Sequence, residues 1–290
     1  MQNTPENRWK EFWSSLKENR GSTIGLFTIL IIVLVAIFAP LLSPHSPSEL
    51  YSDYLRLPPI WSKEGIWKFP LGTDDVGRDI LSRLIHGSTI SIFIGAVVVC
   101  ISSLIGVTLG LFSGYFGGKV DKSIMRLIDI IMALPSILLA IVVVSILGPG
   151  INNAIIAVSV VAIPGFTRIV RASVLAEKKK QYVMAAKSFG AGHLYIMFSE
   201  ILPNCVAPLI VQATLGFSDA ILNAAALGFL GLGAQPPTSE WGIMLSDARP
   251  FIESSPWMVT LPGVCILITV LSFNIFGDGL RDALDPRLKK

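Results

Sequence analysis

One acidic residue stands alone in a long apolar stretch of the sequence. Asp219 is the only charged residue within 201–239, and Gln212 and Asn223 lie within two helical turns of it. In a membrane-spanning helix, such a carboxylate usually faces the bundle interior or a watery cavity, where it can bind the ammonium group of a substrate. We therefore predict that Asp219, Asn223 and Gln212 line a substrate pathway. The alternative is a carboxyl group that caps a helix break or is protonated.

The residue types that usually perform catalysis or bind metals are few and scattered. No metal or redox spacing is found among the cysteines and histidines, which are Cys100, Cys205, Cys265, His45, His86 and His193. A phosphate-binding loop at Gly118-Lys119 is excluded, because Ser113 stands where its first glycine belongs and Val120 replaces the Ser or Thr that would bind magnesium. The sequence therefore predicts no catalytic residue, no metal site and no cofactor bound by this chain.

The composition indicates the environment in which these residues lie. Of the 290 residues, 52% are hydrophobic and only 15% are charged, whereas a soluble domain has about a quarter of its residues charged. The net charge of +3 is too small to indicate a nucleic-acid partner. A helix needs about 20 apolar residues to cross a bilayer. Long stretches without a charged residue occur at 21–48, 84–118, 130–167, 201–218, 220–239 and 254–277. The chain is therefore predicted to be an all-α integral membrane protein.

Turn residues and loop charges give the number of crossings. Gly148, Pro149 and Gly150 divide 130–167 into two spans, whereas 201–239 is interpreted as one crossing with an irregular, glycine-rich exit. The resulting six-helix topology places 17 of the 23 Lys and Arg residues on the side of the N-terminus and 6 on the other side. Because basic residues concentrate on the cytoplasmic side, both termini are predicted to be cytoplasmic.

This topology divides the chain into five segments. They are a cytoplasmic N-terminal segment, a first transmembrane helix, a periplasmic segment, a domain of five transmembrane helices and a cytoplasmic tail: 1–23, 24–42, 43–87, 88–277 and 278–290. In the periplasmic segment, Trp61 and Trp67 either rest at the membrane interface as aromatic anchors or help to seat another protein. Glycines recur on one face of the second span, at every fourth position, and small residues at this spacing let helix backbones approach closely. We predict a helix-packing role for them: Gly106, Gly110, Gly114 and Gly118.

The third cytoplasmic segment, 168–202, is more elaborate than an ordinary loop. It opens with several basic residues, then contains a short helix with small residues on one side, a glycine turn and a second helix that leads into the membrane. We expect Ala185 and Ala186 to be exposed on that short helix. A compact helix of this kind is suited to docking in a groove of another protein.

This arrangement resembles the Glu-Ala-Ala loop of permease subunits in binding-protein-dependent ABC importers. Five residues match that pattern in register: Ala185, Ala186, Gly190, Leu202 and Pro203. Met184 stands where the pattern has its glutamate, and Glu200 where an isoleucine is usual. Further blocks resemble the peptide-importer branch of the family, at 71–84, 226–242 and 277–286. Within that branch, the chain is most similar to the second permease subunit of dipeptide importers.

The resemblance implies a fold, a set of partners and a mode of action. The fold would be that of a type I ABC importer permease, located in the bacterial inner membrane. The chain would form a heterodimer with a homologous permease, bind one or two cytoplasmic ATPase subunits that carry ATP and Mg, and receive substrate from a periplasmic binding protein. The expected substrates are short peptides, dipeptides above all; similar subunits serve oligopeptides, glutathione, haem, nickel or antimicrobial peptides. The residues expected to couple transport to the ATPase are Tyr182, Val183, Met184, Ala185, Ala186, Lys187, Gly190 and Ala191.

Two functions of other classes are also considered. A membrane-embedded enzyme would need a nucleophile or a metal set, and the sequence offers neither. A secondary transporter that works without ATP would be expected to have inverted repeats and several intramembrane ionisable residues. The sequence shows one such residue, Asp219, and no clear internal repeat.

Overall fold

The computed structural model of the chain describes residue 16 and residues 19–284. Helices account for all the regular elements of this part, apart from an isolated β-bridge between Thr73 and Asp79. The α-helices are α1 (Arg20–Ile37), α2 (Ala39–Leu42), α3 (Ile80–Phe116), α4 (Gly118–Met132), α5 (Ser136–Leu147), α6 (Ile151–Glu177), α7 (Gln181–Ser188), α8 (His193–Tyr195), α9 (Val206–Phe229), α10 (Trp241–Ala248) and α11 (Trp257–Leu284). Three short helical turns of other types are Ile196–Ile201, Leu202–Cys205 and Arg249–Phe251. The basic residues predicted to anchor the two cytoplasmic termini lie mostly outside the described residues: Arg8, Lys10, Lys17, Arg287, Lys289 and Lys290.

Five helical segments of the described chain are long and apolar enough to cross a membrane. They are α1, α3, α6, the continuous segment His193–Phe229 and α11. A sixth crossing is formed if α4 and α5 count as one span, although these two helices are bent by 91°. The predicted all-helical membrane fold is thereby confirmed. The side of the membrane that each end faces stays a prediction.

Local sequence explains where the crossings begin and bend. The side chain of Asp79 accepts hydrogen bonds from the backbone N–H groups of Leu81 and Ser82, at 3.3 and 3.1 Å, and so caps α3. The helix therefore starts at Ile80, earlier than the predicted span at 88. The predicted crossing after 130 is also not straight. Pro135 cannot continue the hydrogen bonding of α4, and the chain restarts as α5 in a new direction.

Helix α3 packs closely against α6, and three glycines of α3 permit this close approach. Adding a Cβ atom to Gly106, Gly110 or Gly114 would place it within 2.5 to 2.8 Å of a Cβ atom of α6. The predicted packing role is therefore correct for these three residues. It is wrong for Gly118, whose added Cβ atom would meet nothing within 4 Å. Gly118 is the first residue of α4, and its φ of +53° allows the chain to change direction there after α3 ends.

The remaining helices pack around this pair. In the core, α9 contacts α3, α6 and α11, while α1 lies against α11 and α3. Gly25 of α1 allows a close approach, since an added Cβ atom would lie 2.8 Å from the carbonyl oxygen of Ser272. Phe217 of α9 and Phe273 of α11 stack with their ring centroids 4.1 Å apart. The bundle thus holds α9, the helix that carries Asp219, between α3 and α11.

Candidate functional site

The short helix α7 ends in a glycine turn that fixes the shape of the loop. Gly190 has a φ of +81°, a conformation that glycine adopts without strain. The N–H of Ala191 donates to the carbonyl of Ala186 at 3.0 Å, and the N–H of Gly190 donates to that of Lys187 at 3.0 Å. These two bonds satisfy carbonyl groups that would otherwise lack a partner at the helix end. The loop is therefore a folded element with a defined stop.

One side of α7 is anchored on the bundle. Val183 is fully buried in an apolar cluster with Ile196, Met197 and Ile201. Thus Val183, although predicted to couple to the ATPase, faces inward and supports the helix. Ala186 is half-buried as well, which corrects the expectation that both alanines are exposed.

Polar contacts reinforce this anchoring at the start of α7. The hydroxyl of Tyr182 donates to a carboxylate oxygen of Glu177 at 2.8 Å and accepts from the amide of Asn204 at 3.3 Å. Partial burial, followed by the hydrogen bond to Glu177, raises the pKa of Tyr182 to about 12. This chain of hydrogen bonds ties together the end of α6, the start of α7 and the segment that leads into α9.

A second set of contacts joins the loop to the end of α3. The hydroxyl of Tyr115 and Nδ1 of His193 are hydrogen-bonded at 2.9 Å. The ammonium group of Lys187 lies 5.2 Å from the centroid of the Tyr115 ring, within the range of a cation–π contact. Lys187, predicted as a coupling residue, therefore contacts the bundle through its ammonium group. We call the end of the bundle that carries α7 the loop end.

The other side of α7 is open. Met184 is 53% exposed and Phe189 is 91% exposed; Ala185 and Lys187 are exposed too. Phe189 was not among the predicted coupling residues. It lies between the matched alanines and the matched Gly190, and a large apolar residue at a glycine turn is the signal that could have identified it. An exposed apolar side chain on a firmly seated helix is suited to insertion into a partner.

The chain from α7 into the membrane departs from regular α-helix. A π-helical turn, Ile196–Ile201, and a 3₁₀ turn, Leu202–Cys205, connect α8 to α9. Pro203 has no N–H to donate, and its neighbours adopt the tighter 3₁₀ pattern. Glu200, at the position where the importer pattern has an isoleucine, lies in the π-helical turn. Irregular turns of this kind concentrate at functional sites and hinges.

The predicted pathway residues share one face of α9. Gln212 and Asp219 are seven residues apart, which is close to two helical turns, and Asn223 follows one turn later. The side-chain amide of Asn223 donates to the backbone carbonyl of Asp219 at 2.8 Å. Gln212 is half-buried beside Gly165 of α6. The side chain of Asp219 is exposed on the surface of the bundle and makes no ion pair within the described residues.

The opposite end of the bundle carries a buried network of charges that the sequence did not predict. The carboxylate of Asp74 accepts a hydrogen bond from Nε of Arg78 at 2.6 Å and another from the guanidinium group of Arg83. Asp247 of α10 lies 3.5 Å from both guanidinium groups. Arg83 and Asp74 are only 2% and 4% exposed. We call this end the network end, because these pairs join the 43–79 segment, α3 and α10.

Two models of known protein families match the sequence of this chain. A family model described as "binding-protein-dependent transport system inner membrane component" matches residues 106–290. A second, described as the N-terminal TM domain of oligopeptide transport permease C, matches residues 7–59. Thus two family models cover most of the chain between them.

Two relatives and one solved structure are similar over most of their length. The chain is 54% identical to a dipeptide transport system permease protein of Haemophilus influenzae, covering 99% of this chain and 97% of that one. It is 55% identical to a di/tripeptide transport system permease protein of Pseudomonas aeruginosa, with 97% and 92% covered. A chain of the MetNI methionine ABC transporter, solved in an inward-facing conformation, superposes with a TM-score of 0.58 at 21% identity, covering 71% of this chain and 98% of that chain.

The structural likeness confirms the predicted type I importer permease fold. The matched family model begins in the last third of α3, includes the loop end and extends to residue 290. The chain therefore belongs to the family of binding-protein-dependent transport system inner membrane components.

Proposed function

We propose that this chain is one permease subunit of an ATP-driven importer for dipeptides and other short peptides. The observation that carries this proposal is the construction of the loop end. There, α7 is fixed to the bundle on one side and presents Met184, Ala185 and Phe189 on the other. A docking element must be rigid enough to transmit force and exposed enough to be bound. The names of the 54% and 55% identical relatives support peptides as the cargo.

Coupling to an ATPase is assigned to the residues around α7. Tyr182, Val183, Ala186, Lys187 and Ala191 hold the helix in place. The exposed side chains, Met184, Ala185 and Phe189, would contact the partner, and Gly190 shapes the turn. ATP and Mg belong to the partner subunits, and this chain has no ATPase site of its own. A docked partner shifts the chain between inward and outward access only if its contacts differ between the two states.

The substrate pathway is assigned to the exposed face of α9. A carboxylate on the lipid-facing surface of a spanning helix is costly, so Asp219 is expected to face water or another subunit. This supports pairing with a second, homologous permease, with the passage between the two chains. Gln212 and Asn223 lie on the same face and offer amide groups to peptide bonds. Asp219 would attract the ammonium group at the amino end of a peptide.

The proposed location is the bacterial inner membrane, with both termini in the cytoplasm. The excess of Lys and Arg at the loop end supports this orientation. A periplasmic binding protein would deliver peptides at the network end, where Trp61 and Trp67 are 66% and 84% exposed.

A pair of glycine variants tests the coupling role. In Gly190→Val, a branched residue is forced into a φ of +81°, which strains the turn even though no atom lies within 4 Å of the added Cβ. Gly192→Val has the same open surroundings, but its φ of −68° suits valine. We expect Gly190→Val to abolish ATP-dependent uptake of a labelled dipeptide while the protein stays in the membrane. Gly192→Val should retain uptake. Equal uptake by both variants would contradict the coupling role.

Purification from mild detergent tests the partners and the energy source. We expect a second permease and one or two P-loop ATPases to be recovered with the tagged chain. If the chain is recovered alone and reconstituted transport proceeds without ATP, the proposal is wrong and a secondary transporter built around Asp219 replaces it. Competition by unlabelled oligopeptides, glutathione, haem, nickel or antimicrobial peptides then ranks the cargo.

A further inference from the structure

Helix α4 does not cross the membrane as an ordinary span. It is bent by 91° relative to α5, and α5 has only 12 residues, which rise about 18 Å. The apolar core of a bilayer is about 30 Å thick, so α5 alone is shorter than the core. If α5 runs along the membrane normal, α4 lies in the plane of the membrane, at the loop end.

The side chains of α4 are divided into a basic face and an apolar face. Lys119, Lys122 and Arg126 follow each other at spacings of three and four residues, and all are exposed. Val120 and Leu127 lie seven residues apart on another face and are 41% and 52% exposed. An amphipathic helix with Lys and Arg on its polar face and exposed apolar residues beside them is typical of a membrane interface.

The acidic residues of α4 are already paired with α6. The carboxylate of Asp121 accepts a hydrogen bond from Nε of Arg171 at 2.6 Å. The carboxylate of Asp129 accepts one from the guanidinium group of Arg168 at 2.8 Å. These pairs fix α4 against the bundle. Lys119, Lys122 and Arg126 have no carboxylate within 4 Å among residues 19–284. The outward surface of α4 is therefore positively charged.

A shallow cavity marks the place where an anionic group would bind. It has a volume of about 650 Å³ and is lined by Lys122, Ser123, Met125, Arg126 and Asp129. Two cationic side chains and a hydroxyl thus line this open space, and the negative charge of Asp129 beside them is paired with Arg168. The exposed apolar side chain of Leu127 follows Arg126 on the same helix. We propose that α4 is an interfacial helix that binds the headgroup of an anionic phospholipid at this cavity, while Val120 and Leu127 enter the acyl layer.

Measurement of the lipids that co-purify with the full-length chain tests this proposal. The chain is purified in mild detergent from membranes that contain phosphatidylglycerol and phosphatidylethanolamine, and the ratio of the two bound lipids is determined by mass spectrometry. Near an anionic surface, each Lys or Arg contributes about a fivefold preference. We expect the triple variant Lys119→Gln, Lys122→Gln, Arg126→Gln to lower the phosphatidylglycerol ratio at least about fivefold.

Two matched variants serve as controls. Lys119→Arg, Lys122→Arg, Arg126→Lys keeps the charge and should keep the wild-type ratio. Arg56→Gln, Lys63→Gln, Lys68→Gln removes the same charge at the network end and should also leave the ratio unchanged. The proposal is overturned if the neutral α4 variant retains the wild-type ratio, or if the charge-conserving variant loses as much. If the neutral variant keeps its lipid but loses a co-purifying protein, the surface binds a protein instead.

Discussion

The two ends of the helical bundle are held together by different kinds of contact. At the network end, Asp74, Arg78 and Arg83 are buried and paired with one another, and Asp247 adds a bridge from α10. At the loop end, α7 is held by a buried valine and a few partly exposed hydrogen bonds. Removing one partner of a buried ion pair strongly lowers the free energy of unfolding. A partly exposed hydrogen bond contributes only about 1 kcal/mol to it. We infer that the network end contributes most of the stability that holds this part of the fold, whereas the loop end can lose a single contact without unfolding the bundle.

The largest effect is expected from opening the charge network. Asp74→Ala removes the nearer carboxylate of two buried guanidinium groups and leaves them only the more distant Asp247, so the free energy of unfolding should fall by about 3 kcal/mol. Thermal unfolding of the purified chain in detergent measures this loss. Asp53→Ala is the matched control, because Asp53 is exposed in the same segment, and it should change stability by less than about 0.5 kcal/mol. Equal losses in both variants would contradict the difference between the two ends.

A smaller effect is expected from the buried cap of α10, also at the network end. The carboxylate of Glu240 accepts hydrogen bonds from the backbone of Gly242 and Ile243, at 2.8 and 3.0 Å, and from Ser91 at 3.2 Å. Glu240→Gln replaces one accepting oxygen by a donor group, which should cost about 1–2 kcal/mol in the same unfolding measurement. Glu253→Gln, at an exposed position, should have no measurable effect.

At the loop end, removal of one hydroxyl group is expected to lower the free energy of unfolding by less than either change at the network end. Tyr182→Phe loses the bonds to Glu177 and Asn204, and stability should fall by about 1 kcal/mol. The pH dependence is a sharper measure. Because the pKa of Tyr182 is raised to about 12, its stabilising contribution is complete below about pH 10 and is lost as the pH rises through 12. Tyr182→Phe should therefore flatten the alkaline fall in stability; an unchanged alkaline slope would show that Tyr182 does not carry it.

The smallest effect on stability, and the clearest separation of the two ends, is expected at Phe189. This side chain is 91% exposed, so Phe189→Ala should change the free energy of unfolding by less than about 0.5 kcal/mol. The variant should nevertheless recover less ATPase in a pull-down than the wild-type chain does. Tyr54→Ala removes a half-buried aromatic ring at the network end. This variant should have a lower free energy of unfolding but should recover as much ATPase as the wild-type chain does. A stable Phe189→Ala variant with full ATPase recovery would show that docking does not use Phe189.

Sequence reasoning succeeded where the signal is local. The spacing of Gly106, Gly110 and Gly114 predicted close helix packing, and the turn residues Gly148 to Gly150 marked the hairpin between α5 and α6. The capping carboxylate of Asp79 was also a local signal. The absence of charged residues predicts a later start, because Arg83 interrupts the apolar stretch and the charge-free part begins only after it.

Long-range arrangements could not be predicted in the same way. Asp247 is 164 residues from Arg83 along the chain, and nothing in the spacing of either residue points to the other. The bend between α4 and α5 could not be predicted, because the residues on both sides of Pro135 are apolar and membrane helices often continue past a proline. Whether Val183 points inward or outward depends on the packing of the π-helical segment beneath it. These features become visible only when the helices are assembled.

Helix α3 links the two ends as a single stiff rod. Its 37 residues extend about 55 Å, well beyond the about 30 Å of the apolar layer. The helix begins next to the charge network and ends at Phe116, and the ring of Tyr115 near that end contacts Lys187 of α7. If one end of such a rod is fixed, a tilt of about 5° displaces the other end by about 5 Å, nearly the length of one helical turn. A displacement of a few ångströms at the loop end therefore requires only a small rotation of α3 about its end at the buried charges.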